Sequence, residues 1–202
     1  MIRNIVFDLG GVLIDYDPWE YILTLGYDRE NSEKLYDLIV EKFYWDKMDL
    51  GEYDSYDDAI NDFVKQYSES EDNIRCFFKP GWMQVYRKID DAERLYDSLC
   101  DAGYNLYILS NYSKEGFAYL EQKYDFIGRA AGRVISSHVS CKKPDKSIYD
   151  ILLKKYHLVP EDTIFIDDLK ENVDMAIQCG MKGIIYESVE KTEECLDNLI
   201  RL

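Results

Sequence analysis

The second half of the chain alternates between helical and strand periodicity. From Asp90 to Gly103, DDAERLYDSLCDAG spaces its apolar residues along one face of a helix and stops at a glycine. The next segment, NLYILS, is a short apolar run that predicts a strand ending at Ser110. The same alternation predicts later helices at KEGFAYLEQKY, KPDKSIYDILLKKYHL (with Pro144 in its first turn), VDMAIQCG and the last residues, and strands at RVISS, TIFIDD and GIIYES.

Another apolar run, NIVF, predicts a buried strand near the start of the chain. Strands that alternate with helices form parallel sheets covered on both faces, and right-handed crossovers between them give a doubly wound fold. We therefore predict an α/β protein with a Rossmann-like parallel sheet. Its core domain is expected to comprise residues 1–16 and 84–202.

Residues 17–83 interrupt this alternation. Two of their segments, SEKLYDLIVEKFYWDKM and SYDDAINDFVKQYSE, have the apolar spacing of amphipathic helices, and no strand is evident. We expect this region to form a small helical cap domain inserted after the first strand. Its aromatic residues Trp45, Tyr44, Tyr53 and Tyr56 are expected to pack the cap's own core, although such rings can also stack on a sugar.

Polar side chains stand where three of the predicted strands end. Asp8 follows the first strand, Ser110 ends NLYILS, and Asp167 and Asp168 end TIFIDD. Ligands of parallel α/β sheets bind beyond the carboxyl ends of the strands. We therefore expect these four residues to converge on one edge of the sheet and to form a functional site there.

A carboxylate at a strand end can attack phosphorus when a metal ion offsets its charge. Asp8 is the candidate nucleophile. Asp168, with Asp167 beside it, is the candidate ligand of Mg²⁺, a hard cation that prefers oxygen. Because these two carboxylates are adjacent, only one is expected to bind the metal directly. Asn172 is expected to brace their loop.

Phosphoryl transfer also requires donors for the phosphate oxygens. Ser110 offers a hydroxyl and a backbone N–H, Asn111 offers another N–H, and Lys143 offers a positive charge just before a proline. By itself, a lysine in that position is more typical of an exposed helix start. Gly10 and Gly11 allow a sharp turn after Asp8, and glycine also permits close approach of the backbone to phosphate, so Gly11 is a candidate phosphate-binding residue.

Four segments carry a family resemblance. FDLGGVL, LYILSN, KKPDKSIY and IFIDDLKENV occur in the order and rough spacing of the four motifs of the haloacid dehalogenase superfamily. The chain resembles this superfamily along nearly its whole length, with the helical insert in the place of the family's cap. DLGGVLIDYD and GWMQVYRKIDDAERLYDSL are similar to the branch of small sugar phosphatases related to α-D-glucose-1-phosphatase and to the N-terminal domain of epoxide hydrolases.

The resemblance implies a role for each motif residue. Asp8 is implied to be nucleophile and metal ligand, and Gly10 a metal ligand through its backbone carbonyl. Ser110 and Asn111 are implied to bind the phosphoryl group, and Lys143 to stabilise it and the nucleophile. Of the last pair, Asp168 is implied to be the direct Mg²⁺ ligand, with Asp167 beside it.

The first motif departs from the family pattern at Gly10, where the superfamily usually has an aspartate that serves as general acid and base. Loss of this aspartate should lower the rate most for esters with a poor leaving group, since acid–base assistance typically accelerates a reaction by ~10²–10⁴-fold. The sequence therefore predicts a preference for anomeric and aryl phosphates over 6-phosphates, unless another residue acts as the acid. Asp15 is the first candidate to act as that acid.

Composition limits the partners. The net charge of the 202 residues is −16, and between Asp15 and Arg75 there are eighteen acidic but only six basic residues, which disfavours nucleic acid as a ligand. No apolar run reaches the ~20 residues of a membrane span. MIRNIVF leads directly into a strand without a signal-peptide pattern, so we expect a cytoplasmic protein that acts on a small phosphorylated metabolite.

Three functions remain open from the sequence. The leading interpretation is a Mg²⁺-dependent phosphomonoesterase acting on a sugar phosphate such as a hexose 1-phosphate, through an aspartyl-phosphate intermediate. A 2-haloacid dehalogenase-like hydrolase would use a similar aspartate without metal, and the paired IDD carboxylates favour the metal enzyme. A catalytically weak binding or regulatory protein with this fold is supported only by Gly10.

Overall fold

The computed structural model describes residues 2–200. Its strands, numbered along the chain, are β1 (Asn4–Phe7), β2 (Ile14–Tyr16), β3 (Tyr86–Lys88), β4 (Asn105–Ser110), β5 (Gly132–Ile135), β6 (Thr163–Asp167) and β7 (Lys182–Ile185). Five of these strands form one sheet in the order β5-β4-β1-β6-β7, and every neighbouring pair is parallel. This arrangement confirms the predicted α/β fold.

The helices within residues 2–200 form two sets, one in the insert and one that alternates with the strands of the sheet. Those of the insert are α1 (Pro18–Leu23), α2 (Arg29–Asp37), α3 (Trp45–Asp49), α4 (Tyr56–Gln66) and α5 (Glu71–Phe77). Those that alternate with the strands are α6 (Asp90–Asp101), α7 (Lys114–Lys123), α8 (Asp125–Gly128), α9 (Ser136–Val139), α10 (Lys146–Lys155), α11 (Lys170–Gln178) and α12 (Val189–Ile200). A π-helical turn (Leu38–Lys42) and 3₁₀ turns (Ser68–Ser70, Trp82–Val85, Pro160–Asp162) complete them.

Strand β1 lies at the centre of the sheet and is buried on both faces. Ile5 and Phe7 pack into one apolar cluster, and Val6 packs into a second cluster on the opposite face with Tyr149 and Phe165. Alternation of side chains along a strand makes this division unavoidable. Two buried faces require a continuous apolar run, and NIVF provides it.

The ends of three long helices are fixed by side-chain caps. Ser55 accepts a hydrogen bond from the N–H of Asp58 at the start of α4, and Ser113 accepts one from Gly116 at the start of α7. Asp145 caps α10 in the same way. Helix α10 consequently begins after Pro144, and not with Pro144 in its first turn as the sequence suggested. The Lys143–Pro144 peptide bond is cis.

Two other predictions were wrong, and one feature was not predicted. The strand predicted at RVISS ends at Ile135, since Ser136 begins the short helix α9. The single helix predicted from SEKLYDLIVEKFYWDKM is broken at Phe43, which is extended and buried. A two-stranded antiparallel ribbon of β2 and β3, absent from the prediction, joins the two ends of the insert. Over the described residues, no helix is long and apolar enough to cross a membrane.

Candidate active site

The three central strands bring the predicted residues together. Phe7 lies in register with Ile108 of β4 on one side and with Ile166 of β6 on the other. Asp8 therefore leaves the sheet between Ser110 and Asp167, and its backbone N–H still bonds to the carbonyl of Ile166. The convergence expected from strand ends is present in the fold.

Asp8 is buried, and one oxygen of its carboxylate makes the hydrogen bonds and the ion pair of the side chain. Oδ1 accepts hydrogen bonds from the Ser110 hydroxyl at 2.6 Å and from the backbone N–H of Leu9 at 2.7 Å, and it lies 2.8 Å from the Lys143 ammonium. Burial raises the pKa of the Asp8 carboxyl to about 6, although Lys143 acts in the opposite direction. Among residues 2–200, no such contact is recorded for Oδ2, which leaves this oxygen available to a ligand.

Lys143 is the buried cation of the site, with 2% of its surface exposed. Its Nζ lies 2.8 Å from Asp8 and 2.6 Å from Oδ2 of Asp167. Burial by itself would lower the lysine pKa, but the two carboxylates outweigh it and raise the pKa. The alternative of an exposed lysine at a helix start is therefore wrong.

Asn111 fixes the backbone of Lys143. Its side-chain amide donates to the Lys143 carbonyl at 3.0 Å, and its Oδ1 accepts from the Lys143 N–H at 2.8 Å. The sequence predicted that Asn111 would bind phosphate through its backbone N–H. The side chain has a further structural task, which is to hold the loop that carries the lysine.

The two adjacent aspartates have different surroundings. Asp167 is fully buried; besides Lys143 it accepts from the backbone N–H of Leu169 and from the amide of Asn172, both at 2.9 Å. The predicted brace by Asn172 therefore acts on Asp167. Asp168 is exposed, and partial burial and the neighbouring Asp167 raise its pKa.

Asp8, Asp167 and Asp168 together form a candidate metal site. Each offers a carboxylate oxygen, and these oxygens lie within 4.8 Å of one another. An all-oxygen, all-anionic donor set fits a hard divalent cation. Because Asp167 already accepts three contacts, the Asp168 carboxylate has the more open ligand atoms.

The two glycines of the first motif occupy different positions in the turn. Gly11 has φ +69°, and a Cβ there would lie 2.4 Å from Oδ2 of Asp168, so only glycine fits against that carboxylate. Gly10 bridges to Ile14, and a Cβ at Gly10 would meet no heavy atom within 4 Å. The space in which an aspartate side chain would begin is thus open among the described residues.

A cavity of about 190 Å³ adjoins this edge of the sheet. Asn111 and Ser113, which follow β4, line it from the core, and four aromatic side chains and one carboxylate of the chain's first half also line it. The lining residues include Tyr16, Trp45, Asp49, Tyr56, Tyr86 and Tyr112. Tyr56 is anchored there by a 2.7 Å hydrogen bond between its hydroxyl and that of Ser113.

The aromatic residues of the insert divide into two groups. Tyr44 and Tyr53 stack on each other, and Tyr44 packs against Phe63, as predicted for rings that form the insert's own core. Trp45 and Tyr56 pack on Trp82 and also line the cavity. The prediction of purely structural packing is therefore incomplete for these two rings.

The two histidines of the chain and Asp15, the predicted replacement for the missing acid, lie away from the site. His138 is exposed and packs edge-on against Phe117, and His157 lies exposed after α10. Asp15 is exposed in β2, where it is paired in register with Arg87. Since Tyr16 lines the cavity, strand alternation directs Asp15 to the opposite face.

Sequence reasoning missed Asp49 at the cavity wall. Its position in YWDKMD carries no signature, because acidic residues are abundant throughout the insert. The only available signal was its place in a segment expected to cover the site.

A family model described as haloacid dehalogenase-like hydrolase matches residues 2–180. Among curated proteins, a drimenol cyclase of Aspergillus calidoustus is 25% identical over 98% of this chain, and the chain spans only 37% of that protein. A D-ribitol-5-phosphate phosphatase of Bacteroides thetaiotaomicron is 23% identical, with 90% of each chain covered.

Solved structures agree on the fold. A wild-type family enzyme of Bacteroides thetaiotaomicron, in complex with magnesium and inorganic phosphate, superposes with a TM-score of 0.70 at 19% identity, covering 94% of this chain and 96% of that one. At this identity the likeness establishes the shared architecture only.

Proposed function

Because the chain belongs to the haloacid dehalogenase-like hydrolase family, we propose that it is a Mg²⁺-dependent phosphomonoesterase that acts through an aspartyl-phosphate on Asp8. The observation that carries this proposal is the buried Lys143, held between Asp8 and Asp167 while Ser110 bonds to the same oxygen of Asp8. A relative that is named as a sugar-alcohol phosphatase and a structural neighbour that binds magnesium and phosphate also support it.

The residues suggest the following division of labour. Oδ2 of Asp8 attacks phosphorus while Oδ1 is held by Ser110 and Lys143, so the carboxylate is fixed in one orientation. Lys143 and the donors that follow β4 offset charge on the phosphoryl oxygens. Mg²⁺, bound by Asp8, Asp168 and the carbonyl of Gly10 with Asp167 beside them, would supply further positive charge for the phosphate.

The proposed substrate is a small sugar phosphate such as a hexose 1-phosphate. The cavity of about 190 Å³ lies beside the phosphate-binding loops and has room for one small ring. Its aromatic walls can stack on the apolar face of a sugar, while Asn111, Ser113 and Asp49 offer polar partners.

A panel of esters tests this function directly. The enzyme should release inorganic phosphate from sugar phosphates and aryl phosphates when Mg²⁺ is present, and it should release no halide from 2-haloacids. Halide release without metal would establish the dehalogenase-like alternative. Tight binding of phosphate esters without turnover would instead establish a binding or regulatory protein.

We also propose that residues 17–83 form a cap that closes over the substrate. The β2–β3 ribbon pairs Ile14 with Lys88 and Tyr16 with Tyr86, so the two connections of the insert leave the core side by side and can act as a common hinge. Closure would exclude bulk water from the site while the phosphoryl group is transferred to Asp8.

Amide hydrogen exchange can detect this closure. With Mg²⁺ and orthovanadate, we expect slower exchange in α3 and the β2–β3 ribbon, because closure shields both from solvent. Helix α12, which packs on α6 away from the cavity, is the internal control and should not change. Equal exchange rates in α3 with and without vanadate would contradict the proposed closure of the insert over the substrate.

A further inference from the structure

The ester oxygen that leaves phosphorus needs a proton, and the first motif cannot supply it. Gly10 has no side chain, and Asp15 faces away from the cavity. An acid for this reaction must therefore come from another element that reaches the space beyond Asp8. The residue needed is a protonated side chain within reach of the leaving group.

Among the described residues, Asp49 is the carboxyl group that lines the cavity proposed to hold the substrate. It is the last residue of α3 and lines the same cavity as Asn111 and Ser113, the residues that follow β4 beside Asp8. Among residues 2–200 its carboxyl group has no recorded hydrogen bond or ion pair. It is thus a carboxyl group at the cavity wall that is free to interact with a ligand.

Helix α3 is attached to the core on both sides of this residue. Before Asp49, the Asp46 carboxylate lies 2.7 Å from the ammonium of Lys142, the neighbour of the active-site lysine. After Asp49, Gly51 adopts φ +73° and approaches the carbonyl of Ser137 so closely that a Cβ would lie 2.5 Å from its oxygen. These contacts hold Asp49 against the loops of the site.

The surroundings of this carboxyl group raise its pKa into the neutral range. Burial, followed by the charge of Asp46, raises the pKa of Asp49 to about 7, and Asp8 acts in the same direction. Lys142 and Lys143 oppose the shift. The phenols of Tyr56 and Tyr112, which face the same cavity, have raised pKa values and remain neutral.

We propose that Asp49, supplied by the cap, is the general acid and base of the reaction and takes the place of the aspartate missing at Gly10. The inference rests on the phosphatase activity proposed above. The preference for anomeric and aryl phosphates was predicted from the missing acid at Gly10. If Asp49 replaces that acid, a variant that lacks Asp49 should show this preference, and the intact enzyme should not.

Both steps balance with this assignment. In the first, Asp8 forms a bond to phosphorus, the bond from phosphorus to the ester oxygen breaks with its electron pair on that oxygen, and the proton of Asp49 moves to it to give the alcohol. In the second, the Asp49 carboxylate takes a proton from water as the water oxygen attacks phosphorus. The bond to Asp8 then breaks with its electron pair on the aspartate, and inorganic phosphate leaves.

The test compares the first turnover of Asp49→Asn on two esters by rapid quench. Alcohol release from an alkyl phosphate should slow by about 10²–10⁴-fold, since its poor leaving group needs the proton. Release of a nitrophenol from its phosphate should change by less than about 3-fold, since that leaving group departs without one. This unchanged burst also establishes that the variant is folded and keeps its nucleophile.

The pH profile gives a second readout. Because Asp49 must be protonated to donate, kcat/KM of the intact enzyme for the alkyl ester should fall as pH rises above about 7, and this alkaline limb should be missing in Asp49→Asn. Asp57→Asn, on an exposed aspartate of α4 in the same insert, is the matched control and should behave as the intact enzyme.

Each result bears on one claim. Equal losses for the two esters, or no loss for either, would overturn the assignment of Asp49 while leaving the phosphatase proposal intact. An intact enzyme that cleaves neither ester would refute the proposed function, and the inference with it.

Discussion

Replacing Asp8 by asparagine should abolish turnover of every phosphate ester while the fold survives. An amide is a poor nucleophile, so we expect kcat to fall by about 10⁵-fold or more, which corresponds to ~7 kcal/mol of barrier. The amide oxygen can still accept from Ser110 and Lys143, and Asp167 still neutralises the lysine. The free energy of unfolding should therefore change by less than about 2 kcal/mol. Steady-state kinetics and urea denaturation measure the two effects.

Asp15→Asn is the matched control for this substitution. It makes the same chemical change seven residues later, at an exposed position whose side chain faces away from the cavity. Its activity should equal that of the unchanged protein. Hydrolysis by Asp8→Asn within tenfold of the normal rate would refute the covalent mechanism.

Removal of Mg²⁺ should have the second largest effect. A chelator is expected to lower kcat/KM by about 10³-fold or more, since metal stabilisation of a transferring phosphoryl group is worth several kcal/mol. Asp168→Ala should lose more activity than Asp167→Ala, because its carboxylate is the more open of the two. Calorimetric titration with Mg²⁺ alone should show weaker binding to the Asp168 variant, independently of any substrate.

Stability should follow the opposite order in these two variants. Asp167→Ala removes a buried partner of Lys143 and of the Asn172 amide, which costs roughly 3–5 kcal/mol of unfolding free energy. Asp168→Ala removes an exposed carboxylate and should cost less than about 1 kcal/mol. Full activity in chelator, or equal activity losses in the two folded variants, would contradict the metal assignment.

The core of the site was predictable because the sheet is regular. Each strand is a short apolar run that ends in a polar residue, and parallel register places such ends on one edge. Asp8, Ser110 and Asp167 therefore converge once the order of the strands is known. The burial of Lys143 could not be predicted from the Lys-Pro dipeptide, because it results from contacts with two carboxylates that are distant in sequence.

The insert was predictable only as a set of helices. Phe43 breaks a segment whose apolar spacing continues through it, because the buried ring packs against Phe63 and Phe78 from other elements. The strands β2 and β3 have three residues each, too few to show a period. The position of Asp49 at the cavity wall and the hydrogen bonds from Asn111 to the Lys143 backbone depend on how separate loops meet in space. The local sequence does not encode such contacts.

Rapid quench with a labelled aryl phosphate can trap the phosphoryl group that Asp8 is proposed to carry during turnover. We expect a burst of phenol, matched by one phosphoryl group per enzyme on the peptide that contains Asp8, and no labelled peptide from Asp8→Asn. Repeated turnover with neither a burst nor labelled enzyme at any quench time would rule out the aspartyl-phosphate.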